Sequence, residues 1–191
     1  MDVDLFLRIK DMASGRIEYH KPSRSFVLQF SQLLCLLFKN AAYAGNIKDT
    51  GGNNRTGALI DGSGGNCIRA NGGPGTVNKG IVVGRANTAE SINDFVLGTI
   101  CNHGVGANNI LYGITEFRME VNDPPGTMTF ILEREIANGS GGAITLEEVG
   151  LYLAQHTAAV YYFCAIRDVT GGIVINDGES KLIQYVIQVT N

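Results

Sequence analysis

The chain has 191 residues, of which 17% are charged, 45% are hydrophobic and 25 are glycine. A typical soluble domain carries about 25% charged residues, so we expect other subunits to cover part of this surface. The net charge of −3 argues against a nucleic-acid partner, which would require a basic surface. The length allows one core of ordinary size with a small appendage.

The first residues alternate between the two faces of a strand, with apolar side chains at the odd positions from Val3 to Ile9. With Ser14-Gly15 as the turn and residues 16–19 as the return strand, this pattern predicts a hairpin. The start is acidic and does not show the basic and then apolar pattern of a signal peptide. We therefore expect synthesis in the cytoplasm with reduced thiols.

A wide apolar surface follows the hairpin. The spacing of Phe26, Phe30, Leu33 and Leu37 predicts one long apolar helix over residues 23–44. Polar residues interrupt this run, so it falls short of the ~18–20 apolar residues that a membrane span requires. We therefore predict no membrane partner, and we expect the helix to pack against a sheet or a neighbouring subunit.

Residues 45–80 are rich in glycine and asparagine and predict an extended surface loop, which we expect to become ordered through contacts with other subunits. Neither the P-loop pattern nor a strand-linked G-x-G-x-x-G occurs, so we predict no nucleotide cofactor. The cysteines Cys35, Cys67, Cys101 and Cys164 have no C-x-x-C spacing. We therefore predict no metal site.

The last part of the chain, residues 81–191, predicts a series of short strands separated by turn-forming clusters. The strands are expected at 81–84, as a pair within 110–121, and at 127–137, 143–153, 159–169 and 181–190, with a short turn at 88–97. Such spacing is typical of a β-sandwich or jelly-roll. We therefore predict a mainly β fold with three parts: the hairpin and helix at 1–44, the loop at 45–80 and the β-sandwich domain at 81–191.

Charged residues stand within these apolar strands, namely Arg134, Glu147, Glu148 and Arg167. The two glutamates are adjacent and point to opposite faces of a strand, so they cannot form the carboxylate pair of a glycosidase. A buried charge is costly unless it is compensated. We predict that one glutamate pairs with Arg134 or Arg167 and fixes the strand register.

The histidines are isolated in sequence. His103 lies two residues from Cys101, but a catalytic dyad needs both groups within reach of each other and of a third orienting group. We interpret this segment as a turn with an exposed histidine. We predict no catalytic residue and no enzymatic activity.

Five segments carry a resemblance to a known family. They are GIVVGRANTAESINDFVLGTIC at 80–101, HGVGANNILYG at 103–113, TFILEREIANGSGGAITLEEVGLY at 129–152, CAIRDV at 164–169 and GESKLIQYVIQVT at 178–190. In this order they resemble the small virion structural proteins of tailed bacteriophages. The resemblance implies that the Glu-Val-Gly-Leu-Tyr and Ala-x-Arg-Asp segments are adjacent core strands.

The same resemblance implies a non-enzymatic virion protein that assembles as a homo-oligomer on the capsid, as a decoration protein, or at the neck or tail. Its partners would be other copies of itself and other virion proteins of the capsid, portal, neck or tail. One alternative is a carbohydrate- or receptor-binding β-sandwich module of a phage fibre, although the chain has no Trp to stack on a sugar ring. The other alternative is an enzyme of unknown type.

Overall fold

The computed structural model describes residues 2–39, 43–57, 68–121, 126–156 and 159–190. These residues are mainly β, with several antiparallel sheets and one short helix. In chain order, the elements are β1 (Asp2–Asp11), β2 (Ile17–Pro22), α1 (Leu28–Lys39), β3 (Tyr43–Lys48), β4 (Asn54–Gly57), β5 (Ile68–Arg69), β6 (Gly80–Gly84), β7 (Leu111–Val121), β8 (Thr127–Ala137), β9 (Ile144–His156), β10 (Val160–Ile175) and β11 (Ser180–Thr190).

The larger sheet has five strands in the order β2-β1-β11-β8-β7, all paired antiparallel. The predicted hairpin is confirmed as β1 and β2, and its turn contains Gly15 with φ of 68°. The termini of the described chain meet in this sheet, because β1 pairs with β11 from Asp2 to Asp11. The first and last described strands, β1 and β11, therefore lie inside the sheet, and its two edges are β2 and β7.

The second sheet is built around β9, which pairs with β10, β5 and β6. Apolar side chains from both sheets form one buried cluster. Leu7, Ile183 and Tyr185 of the five-stranded sheet belong to the same cluster as Val149 and Ile166 of the second sheet. Each buried Leu or Ile side chain stabilises the fold by about 1.5–3 kcal/mol relative to exposure, so this shared core holds the two sheets together.

The helix is shorter than predicted. It begins at Leu28 and ends at Lys39, so the prediction of a long apolar helix over 23–44 is wrong. The residues before it form an extended segment on β10, where Phe26 bridges to Ile166 and the Val27 N–H donates to the Ala165 carbonyl at 3.1 Å. Among the described residues, no helix has the length and apolarity needed to cross a membrane.

Residues 45–80 contain more regular structure than the predicted extended loop. β3 and β4 form a hairpin, and its turn is held by Asp49, which accepts bonds from the Asn53 N–H at 2.8 Å and from Arg55 Nε at 2.6 Å. Ile68 and Arg69 of β5 pair with β9. Residues 58–67 lie outside the described residues, so the prediction is untested there.

Two further strand predictions were wrong in detail. The pair expected at 110–121 is a single strand, β7, whose register shifts between Tyr112 and Thr115. The strand expected to end at residue 169 continues to Ile175, with a register shift between Val169 and Ile173. The residues that carry this second shift are Gly171 and Gly172, with φ of 75° and 92°, a conformation that glycine adopts without steric cost. The short turn expected within 88–97 is present, where the Asp94 N–H donates to the Ser91 carbonyl at 3.0 Å.

Candidate functional site

A buried ion pair on the second sheet anchors the loop 85–99. Glu148 on β9 is fully buried and accepts a bond from Arg167 Nε of β10 at 2.9 Å. The same carboxylate accepts the N–H of Gly98 at 3.1 Å and that of Thr99 at 2.9 Å. The predicted pairing is therefore present, between Glu148 and Arg167, and it also satisfies the backbone of a loop that has no regular secondary structure.

The guanidinium of Arg167 uses its other nitrogens on the same loop. Its Nη1 donates to Asp94 at 2.8 Å, and its Nη2 donates to the Thr88 carbonyl at 3.0 Å. Burial acts to lower the pKa of Arg167, but the hydrogen bonds to Asp94 and Glu148 outweigh it and the pKa is raised. Glu147 is half-buried on the opposite face of β9, as its adjacency to Glu148 requires, so the two carboxylates do not converge.

The second buried arginine, Arg134 on β8, is bound by backbone carbonyls. Its Nε donates to Gly113 at 2.9 Å, its Nη1 to Ile81 at 2.7 Å and its Nη2 to Gly73 at 2.9 Å. The guanidinium also lies 4.6 Å from the centre of the Tyr112 ring. In the part of the chain that the structure describes, no carboxylate lies within ion-pair distance of Arg134, and burial lowers its pKa to about 10.

The backbone that supplies the carbonyls around Arg134 is closely packed, which accounts for the glycines between residues 72 and 80. Residues 72–75 lie along the edge of β7, where the Thr115 N–H donates to the Gly72 carbonyl at 2.7 Å and the Gly75 N–H donates to Tyr112 at 2.9 Å. A Cβ at Gly80, whose φ is 84°, would collide with Thr115 Oγ1. These glycines permit close packing of the backbone within the chain, and the expectation that the segment becomes ordered through contacts with other subunits stays a prediction.

A third polar centre lies where the segment before the helix meets β10. The buried Asp168 carboxylate accepts bonds from Ser23 Oγ at 2.9 Å and from the Tyr185 hydroxyl at 3.0 Å. Burial raises the pKa of Asp168, and the hydrogen bonds from Ser23, Ser25 and Tyr185 oppose that increase. Asp168 thus joins the extended segment, β10 and β11 through one carboxylate.

The raised pKa of Asp168 predicts a pH-dependent contribution to stability. The folded chain holds this proton at higher pH than the unfolded chain, so the contribution is complete below the usual aspartate pKa of about 4 and is lost as pH rises through the folded value. The difference in unfolding free energy between wild type and Asp168→Asn should therefore fall from about pH 4 toward neutral pH. Urea titrations across that range measure it, and a constant difference would contradict the prediction.

An apolar groove of about 610 Å³ opens beside this centre, between the extended segment and the five-stranded sheet. It is lined mainly by apolar side chains, which are Leu5, Pro22, Phe26, Phe30, Leu151, Ile166 and Ile187, together with Asp4, Ser23 and Arg24. The predicted residues Phe26 and Phe30 stack with ring centres 4.3 Å apart. The side chain of Leu37 lies outside the described residues.

Leu33 is buried against Ile47 and Phe163, so Leu33→Ala should lower the free energy of unfolding by about 2–5 kcal/mol through lost contacts and a residual cavity. Leu34→Ala is the matched control, because Leu34 lies one residue away on the same helix and is 37% exposed. Chemical denaturation of both variants measures the difference. Equal stability of the two variants would show that the helix is not packed as described.

The five-stranded sheet extends beyond the cover of the second sheet. On its inner face, one row across the strands runs through Leu5, Ile187, Phe130 and Met119, and the row above it ends at Phe117. Phe117 is 46% exposed and Met119 is 65% exposed. We define Phe117, Met119, Met128, Phe130 and Ile187 as the open apolar face.

Cys101 is buried, and His103 is engaged by a backbone hydrogen bond. Burial raises the pKa of the Cys101 thiol to about 11, and His103 Nδ1 accepts the Tyr112 N–H at 3.2 Å. The stretches that the structure describes contain no group of three or more His, Cys, Asp or Glu side chains that could hold a metal ion. The prominent features of the described residues are therefore the buried polar centres at Glu148–Arg167, Arg134 and Asp168, an apolar groove and the open apolar face.

Comparisons with known proteins find no family model, no curated protein and no solved structure that matches this chain.

The open apolar face was not predicted from the sequence. Its signal is the alternation of Phe117 and Met119 with Glu116 and Arg118 in β7. This alternation predicts a strand with one apolar face, but it does not reveal that no second sheet covers it.

Proposed function

We propose that this chain is a non-enzymatic structural protein of a bacteriophage virion. It assembles by packing with copies of itself and with other virion proteins, on the capsid or at the neck or tail. In this proposal, the two larger sheets form a β-sandwich of the jelly-roll kind. The resemblance of the C-terminal segments to small phage virion proteins supports the assignment, together with the low charged fraction of 17%.

The observation that carries the proposal is the open apolar face. Phe117, Met119 and Met128 are all more than 40% exposed, and they lie together at one end of the five-stranded sheet. Contiguous apolar surfaces of this kind mark interaction sites, because exposing them to water is unfavourable. A virion subunit would cover this surface with its neighbours in the particle.

The buried polar anchors suit such a role. Arg134 and the Glu148–Arg167 pair hold the loops 71–80 and 85–99 through backbone groups. The surface that these two loops form is therefore shaped before assembly. A preformed surface loses less conformational freedom when it binds. The anchors therefore favour repeated, identical contacts between subunits.

Mass spectrometry of particles purified from the source virus tests the proposal. We expect the chain at a fixed number of copies per particle, and labelled antibodies should place it on the shell or at the neck or tail in electron micrographs. Hundreds of copies would place it on the shell or tail tube, and a dozen or fewer at the neck or baseplate. Absence from particles that are otherwise complete would contradict the proposal.

A second candidate is a carbohydrate- or receptor-binding module of a phage fibre. The groove of about 610 Å³ favours it, because this volume suits a small ligand and Phe26 presents a partly exposed ring at its wall. Glycan-array binding that is lost in Phe26→Ala but kept in Phe117→Ala would support this function. No binding by the wild-type chain would leave the assembly role as the better explanation.

A further inference from the structure

The free edge of the five-stranded sheet is divided into a capped part and an open part. Residues 72–75 cover the edge of β7 at Tyr112 and Thr115 through two backbone hydrogen bonds. The N–H and C=O groups of alternate strand residues point to the same side, so those of Phe117 and Met119 point toward the open edge, as those of Thr115 do. Within the described ranges, neither residue makes a hydrogen bond there.

An exposed strand edge of this kind is a template for another strand. Here it coincides with the open apolar face, since Phe117 and Met119 supply both the unpaired backbone groups and the exposed side chains. We infer that β7 pairs antiparallel with β7 of a second copy of this chain about a two-fold axis at Met119. The result is one continuous sheet of two protomers. This inference rests on the proposed virion function, and it specifies the contact between copies of the chain that this function requires.

The charges along β7 select this register. An axis at residue 118 would place Arg118 opposite its own copy and Glu116 opposite the glutamate at position 120, so like charges would meet. An axis at residue 120 would place that glutamate opposite itself. An axis at Met119 places Arg118 opposite position 120 of the partner on both sides of the axis, so each pair has opposite charges.

The capped part of the edge excludes an axis at Phe117. An axis at Phe117 would also pair opposite charges, Glu116 with Arg118. It would, however, bring the partner strand alongside Thr115, where residues 72–75 already lie and where the N–H is bonded to Gly72. An axis at Met119 confines the partner to residues 117–121, beyond the cap. Among the axes at residues 117–120, charge and backbone occupancy thus favour the one at Met119.

Disulfide trapping tests the register directly. In a Cys35→Ser, Cys67→Ser background, Met119→Cys should give a covalent dimer under mild oxidation, because residues facing across the axis have Cα atoms about 5.5 Å apart. Phe117→Cys is the matched control, since its side chain shares the same face but the two copies would be about 13 Å apart along the strand. Trapping of both variants alike, or of Phe117→Cys alone, would overturn the register.

Sedimentation of the otherwise unchanged chain provides the second measurement. We expect a dimer for wild type and for Val174→Lys, which alters an exposed side chain on β10 of the other sheet, and a monomer for Met119→Lys at the same concentration. A monomeric wild type, or a dimer that persists in Met119→Lys, would overturn the edge pairing. A chain that is present in particles but remains monomeric overturns the pairing alone. A chain that pairs through β7 but is absent from particles overturns the virion role alone.

Discussion

Glu148→Ala should lower the free energy of unfolding by about 3–5 kcal/mol, because it removes the fully buried carboxylate partner of the Arg167 guanidinium and leaves only the partly exposed Asp94. The substitution also removes the acceptor for the N–H groups of Gly98 and Thr99. Chemical denaturation measures the loss. Hydrogen exchange should show that the amide of Thr99 exchanges faster, because the loop 85–99 loses its attachment to β9.

Glu147→Ala is the matched control for this experiment. Glu147 is the preceding residue and is only half-buried on the opposite face of β9, so its replacement should change stability by about 0.5 kcal/mol or less. A double-mutant cycle with Arg167→Met should give a coupling energy of about 0.5–3 kcal/mol, as expected for residues in one network. Equal losses in Glu147→Ala and Glu148→Ala would show that the ion pair does not anchor the loop.

Arg134→Met should destabilise the chain by about 3 kcal/mol or more, because it leaves several buried carbonyls without a donor at about 1–3 kcal/mol each. The carbonyls of Gly73, Ile81 and Gly113 receive their bonds from this one guanidinium. The amide of Gly75, which is bonded to Tyr112, should exchange faster with solvent. Denaturation and hydrogen exchange on the same variant measure the two effects.

Arg16→Met separates the loss of the buried donors from the loss of a positive charge. Arg16 lies in the turn between β1 and β2, and its side chain is 76% exposed beside Glu18, so its replacement should cost about 1 kcal/mol or less. The amide of Gly75 should keep its protection in this variant. If Arg134→Met were as stable as Arg16→Met, the three carbonyls would not depend on Arg134.

Local patterns determined most of the strands. The alternation from Val3 to Ile9 and the Ser14-Gly15 turn are sufficient for the hairpin of β1 and β2, because side-chain period and turn chemistry act within a few residues. The strand predicted at 127–137 coincides with β8. The prediction of a buried Glu–Arg pair also followed from local sequence, because charge inside an apolar strand requires a partner.

Pairing with distant strands decided what the local patterns could not. The helix begins at Leu28 because the residues before it pair with β10, so helical spacing at Phe26 was overridden by a partner far away in sequence. The glycines at 72 and 80 were read as loop-forming, yet they allow close contact with Lys79 and Thr115. Close contacts of this kind form only after the strands have been brought together.

The sequence by itself determined a mainly β chain with few charges, an N-terminal hairpin and charged side chains that need buried partners. Only the tertiary structure decided that Glu148 pairs with Arg167 and that Arg134 is bound by carbonyls. It also decided that Phe117 and Met119 remain exposed. The physical reason is that the alternation of side chains along a strand specifies which of its faces is apolar. The burial of that face depends on the length and position of the opposing sheet.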